Sequence, residues 1–314
     1  MKIGFLFPGQ GSQTIGMGKD LYKNYEIVKE IYDNSEKITD IPIKKLSFEG
    51  PEEELNKTQN TQLAILTMSI AIAKLLESEN IKSDISAGLS LGEYSALIDS
   101  KAITFEDGLK IVKARGKYMQ ELCPKGNWKM AAIIGLNEEQ VNEGISKVKS
   151  GFVKAVNFNT EGQIVLSGEA DAIEEACTYL KELGAKRAMP LNTAGPFHTD
   201  KLIESSKALK QELEKYNFNK VENKVIKNIT GDTYYTNEDN IKEILAEHII
   251  NPVQFKKTLE KMLEEGIDTF IEIGPGKTLS GFLKRIQTDK EIKILNISDV
   301  ETYKNTLSIL KGEQ

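Results

Sequence analysis

Residues 85–94 have the sequence Ile-Ser-Ala-Gly-Leu-Ser-Leu-Gly-Glu-Tyr, in which a Gly-x-Ser-x-Gly motif centred on Ser90 joins an apolar run to a helix-forming run. This motif is typical of a nucleophile elbow, a sharp strand-to-helix turn that exposes a serine hydroxyl on an α/β sheet. Gly88 and Gly92 suit such a turn because they lack a Cβ atom and allow strand and helix to pack closely. The stretch therefore predicts an α/β fold with a nucleophilic serine. The alternative is a glycine-rich turn in which Ser90 only caps a helix.

The chain on both sides of this motif alternates short apolar runs with longer helical patterns. The apolar segment Ile3–Phe7 predicts a buried first strand, and helical patterns continue to about residue 122. This alternation predicts a parallel sheet covered by helices. The apolar stretch 63–76 is interrupted by polar residues and is shorter than the roughly 20 residues that span a bilayer, so we expect a buried core helix there.

The pattern changes at a Pro-Lys-Gly turn over residues 124–126. The residues that follow predict, in order, a strand at 130–136, a helix at 137–148, strands at 152–157 and 163–167, a helix at 170–183 and a strand at 187–191. This βαββαβ order is that of a ferredoxin-like module. Neither flank has enough strands for a complete sheet, so we predict a large α/β domain over 1–124 and 196–314, interrupted by a ferredoxin-like domain over 125–195. Two domains in tandem are the alternative.

Composition limits the possible chemistry. The chain has 41 Lys and Arg against 47 Asp and Glu, and its net charge of −6 argues against nucleic-acid binding as the main function. With two cysteines and two histidines, the chain offers a weak basis for zinc, whose ligands are mostly Cys and His, and we expect no metal. The few cysteines and the lack of a recognisable secretory segment predict a cytoplasmic protein without a membrane partner.

An activated serine needs a base close to it, and the chain offers two histidines. His198 lies in a loop over residues 193–199, which enters a helix after the last strand of the predicted insertion. His248 lies in a helical run, where a single histidine is more often a surface or partly buried polar residue than a catalyst. We therefore predict that His198 is the base.

The loop after the first strand, Pro-Gly-Gln-Gly-Ser-Gln at 8–13, is a second candidate element of the site. It brings backbone N–H groups to the carboxyl edge of the sheet, where α/β proteins form their sites, and it suits half of an oxyanion hole. It is not a dinucleotide-binding motif, because Thr14 replaces the last glycine. Likewise Gly-Lys-Thr at 276–278 is not a phosphate loop, because residue 271 is Ile instead of Gly.

Five segments, in order along the chain, give a specific resemblance to a known family. They are Phe-Pro-Gly-Gln-Gly-Ser-Gln from Phe7, Gly-Leu-Ser-Leu-Gly-Glu-Tyr-Ser-Ala-Leu from Gly88, Arg-Gly-Lys-Tyr-Met-Gln from Arg115, Gly-Pro-Phe-His from Gly195 and Ile-Gly-Pro-Gly-Lys-Thr-Leu from Ile273. The sequence resembles malonyl-CoA:acyl carrier protein transacylases of type II fatty acid synthesis over nearly its whole length. The resemblance implies an α/β-hydrolase-like large domain with a ferredoxin-like insertion, as the pattern also predicts.

The resemblance also implies a mechanism. In a ping-pong reaction, Ser90, deprotonated by His198, would take the malonyl group from malonyl-CoA as an ester. The phosphopantetheine thiol of an acyl carrier protein would then accept it, and no cofactor would take part. The backbone N–H groups of Gln10 and Leu91 would hold the oxyanion, where loss of one donor typically slows the reaction about 10²- to 10³-fold.

Two further residues are implied to select the substrate. Arg115 would pair with the free malonate carboxylate, which a planar guanidinium can bind through two hydrogen bonds. The residues alone favour a different interpretation, a surface arginine in the basic run 113–117. Phe197, directly before His198, would crowd the α-carbon of the acyl group and favour malonyl over methylmalonyl.

Two positions depart from the family pattern. Many members have His where this chain has Leu89, and we expect the Ser-His dyad to survive because Leu89 is not the base. The family commonly has Gln where this chain has His248. The backbone carbonyl at that position can still orient the catalytic imidazole. We expect the His248 side chain to lie in the pocket as a second titratable group.

The carrier protein is strongly acidic in this family, so local basic residues would have to dock it on this acidic chain. The pairs Lys186-Arg187 and Lys284-Arg285 are candidates by position, and solvated surface charge is the alternative. We expect a monomer that binds no nucleic acid.

Three other functions compete with fatty acid synthesis. They are a malonyltransferase that serves a polyketide synthase, a serine thioesterase or hydrolase that uses the same dyad, and a noncatalytic carrier-binding protein. Ordinary α/β-hydrolases place the catalytic histidine near the C-terminus, whereas a long segment follows His198. This difference favours the transferase.

Overall fold

A computed structural model describes residues 1–191 and 195–312. Residues 193 and 194, which belong to the predicted loop over 193–199 and to the end of the predicted insertion over 125–195, lie outside the described residues. Within the described part, the chain forms one parallel and one antiparallel sheet, both flanked by helices. The predicted α/β class is therefore confirmed.

The elements are numbered in chain order. The strands are β1 (Ile3–Phe7), β2 (Ile85–Gly88), β3 (Trp128–Ile134), β4 (Val153–Thr160), β5 (Gln163–Glu169), β6 (Arg187–Pro190), β7 (Lys224–Val225), β8 (Thr269–Ile273) and β9 (Lys293–Ile297). The first helices are α1 (Lys19–Asn24), α2 (Glu26–Thr39), α3 (Ile43–Glu49), α4 (Glu52–Leu55), α5 (Thr58–Ser78), α6 (Gly92–Asp99) and α7 (Phe105–Glu121). The later helices are α8 (Glu138–Ser146), α9 (Ala170–Glu182), a short 3₁₀ helix (Asp200–Leu202), α10 (Ile203–Leu213), α11 (Ile241–His248), α12 (Phe255–Glu264), α13 (Thr278–Leu283) and α14 (Val300–Lys311).

The parallel sheet has the strand order β7-β2-β1-β8-β9. All residues of β1, β2 and β8 are buried, since helices cover both faces, and this explains their nearly continuous apolar sequences. The chain continues from β1 to β2 on one side and adds β8 on the other, so the order of winding changes at β1. Loops after these three strands meet at the carboxyl edge, where such sheets form binding crevices.

Helix α5 is the core helix that the sequence predicts over 63–76. It is long and apolar enough to cross a membrane by length and composition, but 83% of its most apolar 18-residue window is buried inside the protein. It packs against α2 and α7. Its apolar sequence is therefore explained by burial in the core.

The antiparallel sheet has the order β4-β5-β3-β6 and carries α8 and α9, as in a ferredoxin-like module. It has its own apolar cluster, in which Ile133 and Leu166 of the sheet pack with Ile173 and Leu180 of α9. The predicted βαββαβ order is confirmed between residues 128 and 190. The domain boundaries drawn at 124/125 and 195/196 stay a prediction.

The antiparallel sheet is joined to the rest of the protein through β4. The backbone of Val253 donates to the Val156 carbonyl at 2.8 Å and accepts from the Phe158 N–H at 2.9 Å. The Thr160 hydroxyl donates to the Phe282 carbonyl at 3.1 Å. These bonds fix the segment around residue 253 and the end of α13 against the second sheet, so the two sheets enclose a cleft.

The turn between β2 and α6 depends on two glycines. A Cβ atom on Gly88 would lie 1.9 Å from the backbone carbon of Gly92, and one on Gly92 would lie 2.0 Å from the Phe7 carbonyl oxygen. Between them, Ser90 has a φ of 52°, which is unusual for a residue with a side chain. The close strand–helix packing that the sequence predicts is therefore present.

A Gly88→Ala substitution should destabilise the protein by roughly 3 kcal/mol, because the backbone around it must move to admit a methyl group. The matched control is Gly281→Ala in α13, where a Cβ atom would meet nothing within 4 Å. Since alanine favours helix more than glycine does, this control should stabilise the protein, by no more than about 1 kcal/mol. Urea unfolding measures both variants. Equal stability of the two would show that the elbow tolerates a side chain at residue 88.

Candidate active site

Ser90 and His198 meet at the carboxyl edge of the parallel sheet. The Ser90 Oγ lies 2.8 Å from Nε2 of His198. On the other side of the ring, the His198 Nδ1–H donates to the carbonyl oxygens of His248 at 2.9 Å and Asn251 at 3.1 Å. Because Nδ1 carries the proton, Nε2 is free to accept the serine proton. Backbone carbonyls therefore orient the imidazole.

The surroundings of His198 favour its neutral form. Its side chain is almost fully buried, and this burial, followed by the nearby His248 and the Arg115 guanidinium, lowers the pKa of His198 well below 6.5. At neutral pH the imidazole is thus unprotonated. A neutral imidazole that accepts from a serine hydroxyl can act as a general base.

Asn228 holds the backbone of the elbow and was missed by the sequence analysis. Its side-chain Oδ1 accepts the Ser90 N–H at 2.8 Å, and its Nδ2 donates to the Gly88 carbonyl at 2.6 Å. The side chain is fully buried. It thus satisfies two backbone groups that the turn removes from regular structure. The sequence offers only a weak signal, a polar residue two positions after the apolar pair Val225–Ile226.

Arg115 is buried beside the serine. Only 1% of its surface is exposed, its Nη2 donates to the Ser90 Oγ at 3.2 Å, and its guanidinium lies 5.4 Å from the centre of the Tyr94 ring. Within the described chain, its Nε has no hydrogen-bond partner and no carboxylate forms an ion pair with it. The surface interpretation of Arg115 is therefore wrong, whereas Lys117 of the same run is 52% exposed.

A cavity of about 210 Å³ opens in front of the dyad. Its lining combines the loop 8–12 with Gln62, Leu89, Ser90, Leu91, Arg115, Met119, Met130, Ala132, Asn157, Asn159, Gln163, Val165, Leu191, Phe197, His198, Thr278, Leu279 and Phe282. Both sheets contribute to it. Two buried oxygen atoms, Gln62 Oε1 and Asn159 Oδ1, find no partner within the described residues. The cavity can therefore accept polar groups of a ligand as well as apolar ones.

The predicted oxyanion-hole residues, Gln10 and Leu91, line this cavity on two sides of Ser90. Neither backbone N–H donates to an acceptor in the described part of the chain. The Leu91 N–H lies at the start of α6, where the helix dipole also favours negative charge. Their placement suits the predicted role, which stays a prediction.

We expected the His248 side chain to lie in the pocket, and the structure places it elsewhere. Its side chain is fully buried and is absent from the cavity wall, with its ring 5.1 Å from the His198 ring. Its Nδ1 lies 2.7 Å from Oε2 of Glu93, which is also fully buried. The end of α11 directs this side chain toward α6, behind the dyad, while its carbonyl holds His198. Glu93 is a second residue that the sequence analysis missed.

The remaining predicted residues lie around the cavity or on the surface. Phe197 and Leu89 line the cavity wall. Arg285 is exposed and donates to Oε1 of Gln163 at 2.6 Å, which places it near the cavity rim beside the exposed Lys284. Lys186 and Arg187 are exposed at the edge of the antiparallel sheet. The docking roles of these basic residues stay predictions.

Comparison with known proteins gives a consistent family assignment. The model of the acyl transferase domain family matches residues 4–303. The chain is 42% identical over 314 residues to a malonyl CoA-acyl carrier protein transacylase of Bacillus subtilis, covering 99% of this chain and 98% of that protein. It is 40% identical over 297 residues to the Escherichia coli K12 protein of the same name, covering 94% and 96%.

Solved structures show the same similarity. A malonyl CoA-acyl carrier protein transacylase from Clostridium perfringens is 47% identical, with a TM-score of 0.93 over 99% of this chain and 98% of that one. A malonyl-transacylase in complex with its type II polyketide synthase acyl carrier protein is 34% identical, with a TM-score of 0.93 over 99% and 100%.

A His198→Ala substitution should slow the reaction of Ser90 with a fluorophosphonate reagent by about 100-fold or more, because the hydroxyl loses its base. Intact-protein mass spectrometry measures the rate, and Ser90→Ala should show no modification. Ser146→Ala, which removes an exposed serine of α8, is the matched control and should react as the native protein does. If His198→Ala reacts at the native rate, the imidazole does not activate Ser90.

Proposed function

The chain belongs to the family of malonyl CoA-acyl carrier protein transacylases, and on this premise we propose that it transfers the malonyl group from malonyl-CoA to the phosphopantetheine thiol of an acyl carrier protein. The observation that carries this proposal is the position of the Ser90 Oγ. It lies 2.8 Å from a neutral imidazole and 3.2 Å from a buried guanidinium that lacks a carboxylate partner in the described chain. A nucleophile beside a carboxylate-binding group suits a substrate that has both a thioester and a free carboxylate.

The first half of the reaction acylates the enzyme. His198 Nε2 takes the proton of Ser90 as Oγ attacks the thioester carbonyl carbon, and the backbone N–H groups of Gln10 and Leu91 hold the resulting oxyanion. When the tetrahedral intermediate collapses, the C–S bond breaks and coenzyme A leaves as a thiol with the proton from the imidazolium. Malonyl-Ser90 remains.

The second half reverses these steps with a different thiol. The phosphopantetheine thiol of the carrier protein gives its proton to His198 and attacks the ester carbonyl, and Ser90 leaves with that proton. Each half starts from a neutral imidazole, which the lowered pKa of His198 ensures. This chemistry requires no cofactor or metal.

Arg115 and Phe197 would select the acyl group. The Arg115 guanidinium lies within hydrogen-bond distance of the atom that carries the ester, so the malonyl carboxylate would reach it without a long spacer. Its Nε, free in the described chain, and its Nη2 could form two parallel bonds to that carboxylate. Phe197 lines the same cavity and would crowd an extra methyl group on the α-carbon.

The cavity wall favours transfer over hydrolysis. The cavity in which an ester on Ser90 would lie is lined in part by the apolar side chains of Met119, Met130, Val165, Leu279 and Phe282. Such a wall limits the access of water to an acyl-enzyme, whereas a long phosphopantetheine arm can enter along the cleft. We therefore favour the transferase over a serine thioesterase or hydrolase that would use the same dyad.

For the acceptor, we propose the acyl carrier protein of fatty acid synthesis in the cytoplasm, with the enzyme acting as a monomer. The polyketide alternative has support in the similar transacylase whose structure includes a polyketide synthase carrier. Arg285 and Lys284, near the cavity rim, are the better placed of the two basic pairs to attract an acidic carrier. Lys186 and Arg187 would extend that surface.

Mixing the protein with malonyl-CoA should produce a stable malonyl adduct on Ser90, visible in the intact mass and absent from Ser90→Ala. Addition of carrier protein with its phosphopantetheine arm should discharge the adduct, and carrier protein without the arm should leave it in place. Release of coenzyme A and malonate without an adduct would instead indicate a hydrolase.

An Arg115→Ala substitution should lower kcat/KM for malonyl-CoA by about 100-fold or more, because charge-assisted bonds to the carboxylate are lost. Transfer of an acetyl group, which has no carboxylate, should change less than about tenfold. Lys117→Ala, at an exposed position of the same helix, is the control and should affect neither substrate. Equal losses for both acyl groups would exclude carboxylate recognition by Arg115.

A further inference from the structure

Glu93 is a buried carboxylate that the proposed reaction does not use. Its Oε1 accepts the Asn228 N–H at 2.8 Å and the Tyr235 hydroxyl at 2.9 Å. Its Oε2 lies 2.7 Å from Nδ1 of His248, and neither residue has any exposed surface. Burial, followed by the nearby Glu93 charge, raises the pKa of Tyr235 well above 10, so this phenol stays a hydrogen-bond donor.

The charge of such a carboxylate needs a counter-charge, because an ionised group in the protein interior is costly when it is alone. Within the described residues, no Lys or Arg forms an ion pair with Glu93, and His248 is the group at ion-pair distance. Neither ring nitrogen of His248 has a hydrogen-bond partner in the described chain, nor has the Glu93 Oε2, so the 2.7 Å Nδ1–Oε2 approach is an ion-pair contact and not a hydrogen bond. Each residue is thus the counter-charge available to the other.

We propose that Glu93 and His248 form a buried carboxylate–imidazolium pair that positions both members of the Ser90–His198 dyad and keeps His198 unprotonated. Its kinetic consequences rest on the proposed function, whereas the charge state of the pair does not. His248 and Glu93 are positioning residues here, since neither lines the cavity.

The pair reaches the dyad along two routes. On one side, Glu93 fixes the backbone N–H of Asn228, whose side chain accepts the Ser90 N–H. On the other side, Glu93 is in ion-pair contact with the side chain of His248, whose carbonyl accepts the Nδ1–H of His198. A single carboxylate thereby holds the nucleophile and the base, which come from parts of the chain 108 residues apart.

The charges around His198 determine the direction of the electrostatic effect. The His248 ring faces it from α11 at 5.1 Å, and the Arg115 guanidinium faces it from α7 across Ser90. Glu93, from α6, lies beyond His248. A positive charge so close to His198 disfavours a second one, and it therefore adds to burial in keeping His198 neutral.

Nitrogen-15 NMR of the histidine rings tests the charge state directly, because the native chain has two histidines. A His248→Gln variant keeps one ring and assigns both sets of signals. At pH 7 we expect His248 to show two protonated nitrogens and His198 to show a neutral ring protonated at Nδ1. In Glu93→Gln, His248 should become neutral. A neutral His248 in the native protein would overturn the proposal.

The pH dependence of Ser90 reactivity tests the effect on the base. In His248→Gln the positive charge is gone while Glu93 remains, so the pKa of His198 should rise. Reactivity is lost as pH falls through that pKa. The acidic limb of the curve of reaction rate against pH should therefore move to higher pH by about one unit or more. Glu247→Gln, an exposed neighbour on α11, should leave the limb where it is in the native protein.

The limb is measured twice, as kcat/KM for malonyl-CoA and as the rate of Ser90 modification by a fluorophosphonate. The second rate does not depend on the natural substrate. If the fluorophosphonate limb moves but malonyl-CoA is not used, the proposed function fails and the pair stands. If His248→Gln is unfolded under the assay conditions, the nitrogen-15 signals of the histidine rings in Glu93→Gln decide whether the pair is charged. An unmoved limb in a folded His248→Gln variant would refute the electrostatic role.

Discussion

The backbone of Ser90 is the constraint on which the rest of the site depends. Its φ of 52° is costly for a residue with a side chain, and the turn persists because neighbouring structure holds it. Gly88 and Gly92 permit close backbone contacts that a Cβ atom would block. Asn228 forms hydrogen bonds with the backbone N–H of Ser90 and the carbonyl of Gly88. The result is a hydroxyl fixed at the carboxyl edge of the sheet and a helix N-terminus directed at the same point.

Around this turn the protein buries charges that most proteins leave at the surface. Arg115 lies beside the serine without a carboxylate partner in the described chain, which leaves its charge available to a ligand. Behind His198, Nδ1 of His248 lies 2.7 Å from Oε2 of Glu93, and we propose that these two groups are oppositely charged. Both arrangements are expensive for folding unless partners satisfy them, and both affect the protonation of one imidazole. The residues whose burial costs folding free energy are therefore the same residues that set the protonation state of His198.

Much of the fold was predictable because it is encoded locally. The alternation of apolar and helical runs predicted the parallel sheet, and the βαββαβ order between residues 128 and 190 predicted the antiparallel one. The Gly-x-Ser-x-Gly stretch identified Ser90 for the same reason, since backbone geometry at a turn depends on adjacent residues. His198 followed from the scarcity of histidines, and the family resemblance supplied Arg115, which its own basic neighbours had made look like a surface residue.

The sequence by itself thus determined the α/β class, the βαββαβ order and the family resemblance, and it predicted Ser90 as the nucleophile and His198 as the base. Only the tertiary structure decided that Asn228 clamps the elbow from 138 residues away, that Glu93 lies opposite His248, and that the His248 ring faces away from the cavity. These contacts join elements distant in sequence, and the direction of a side chain on α11 depends on how that helix packs. Local patterns encode backbone conformation, whereas partners across the core are fixed only when the chain has folded.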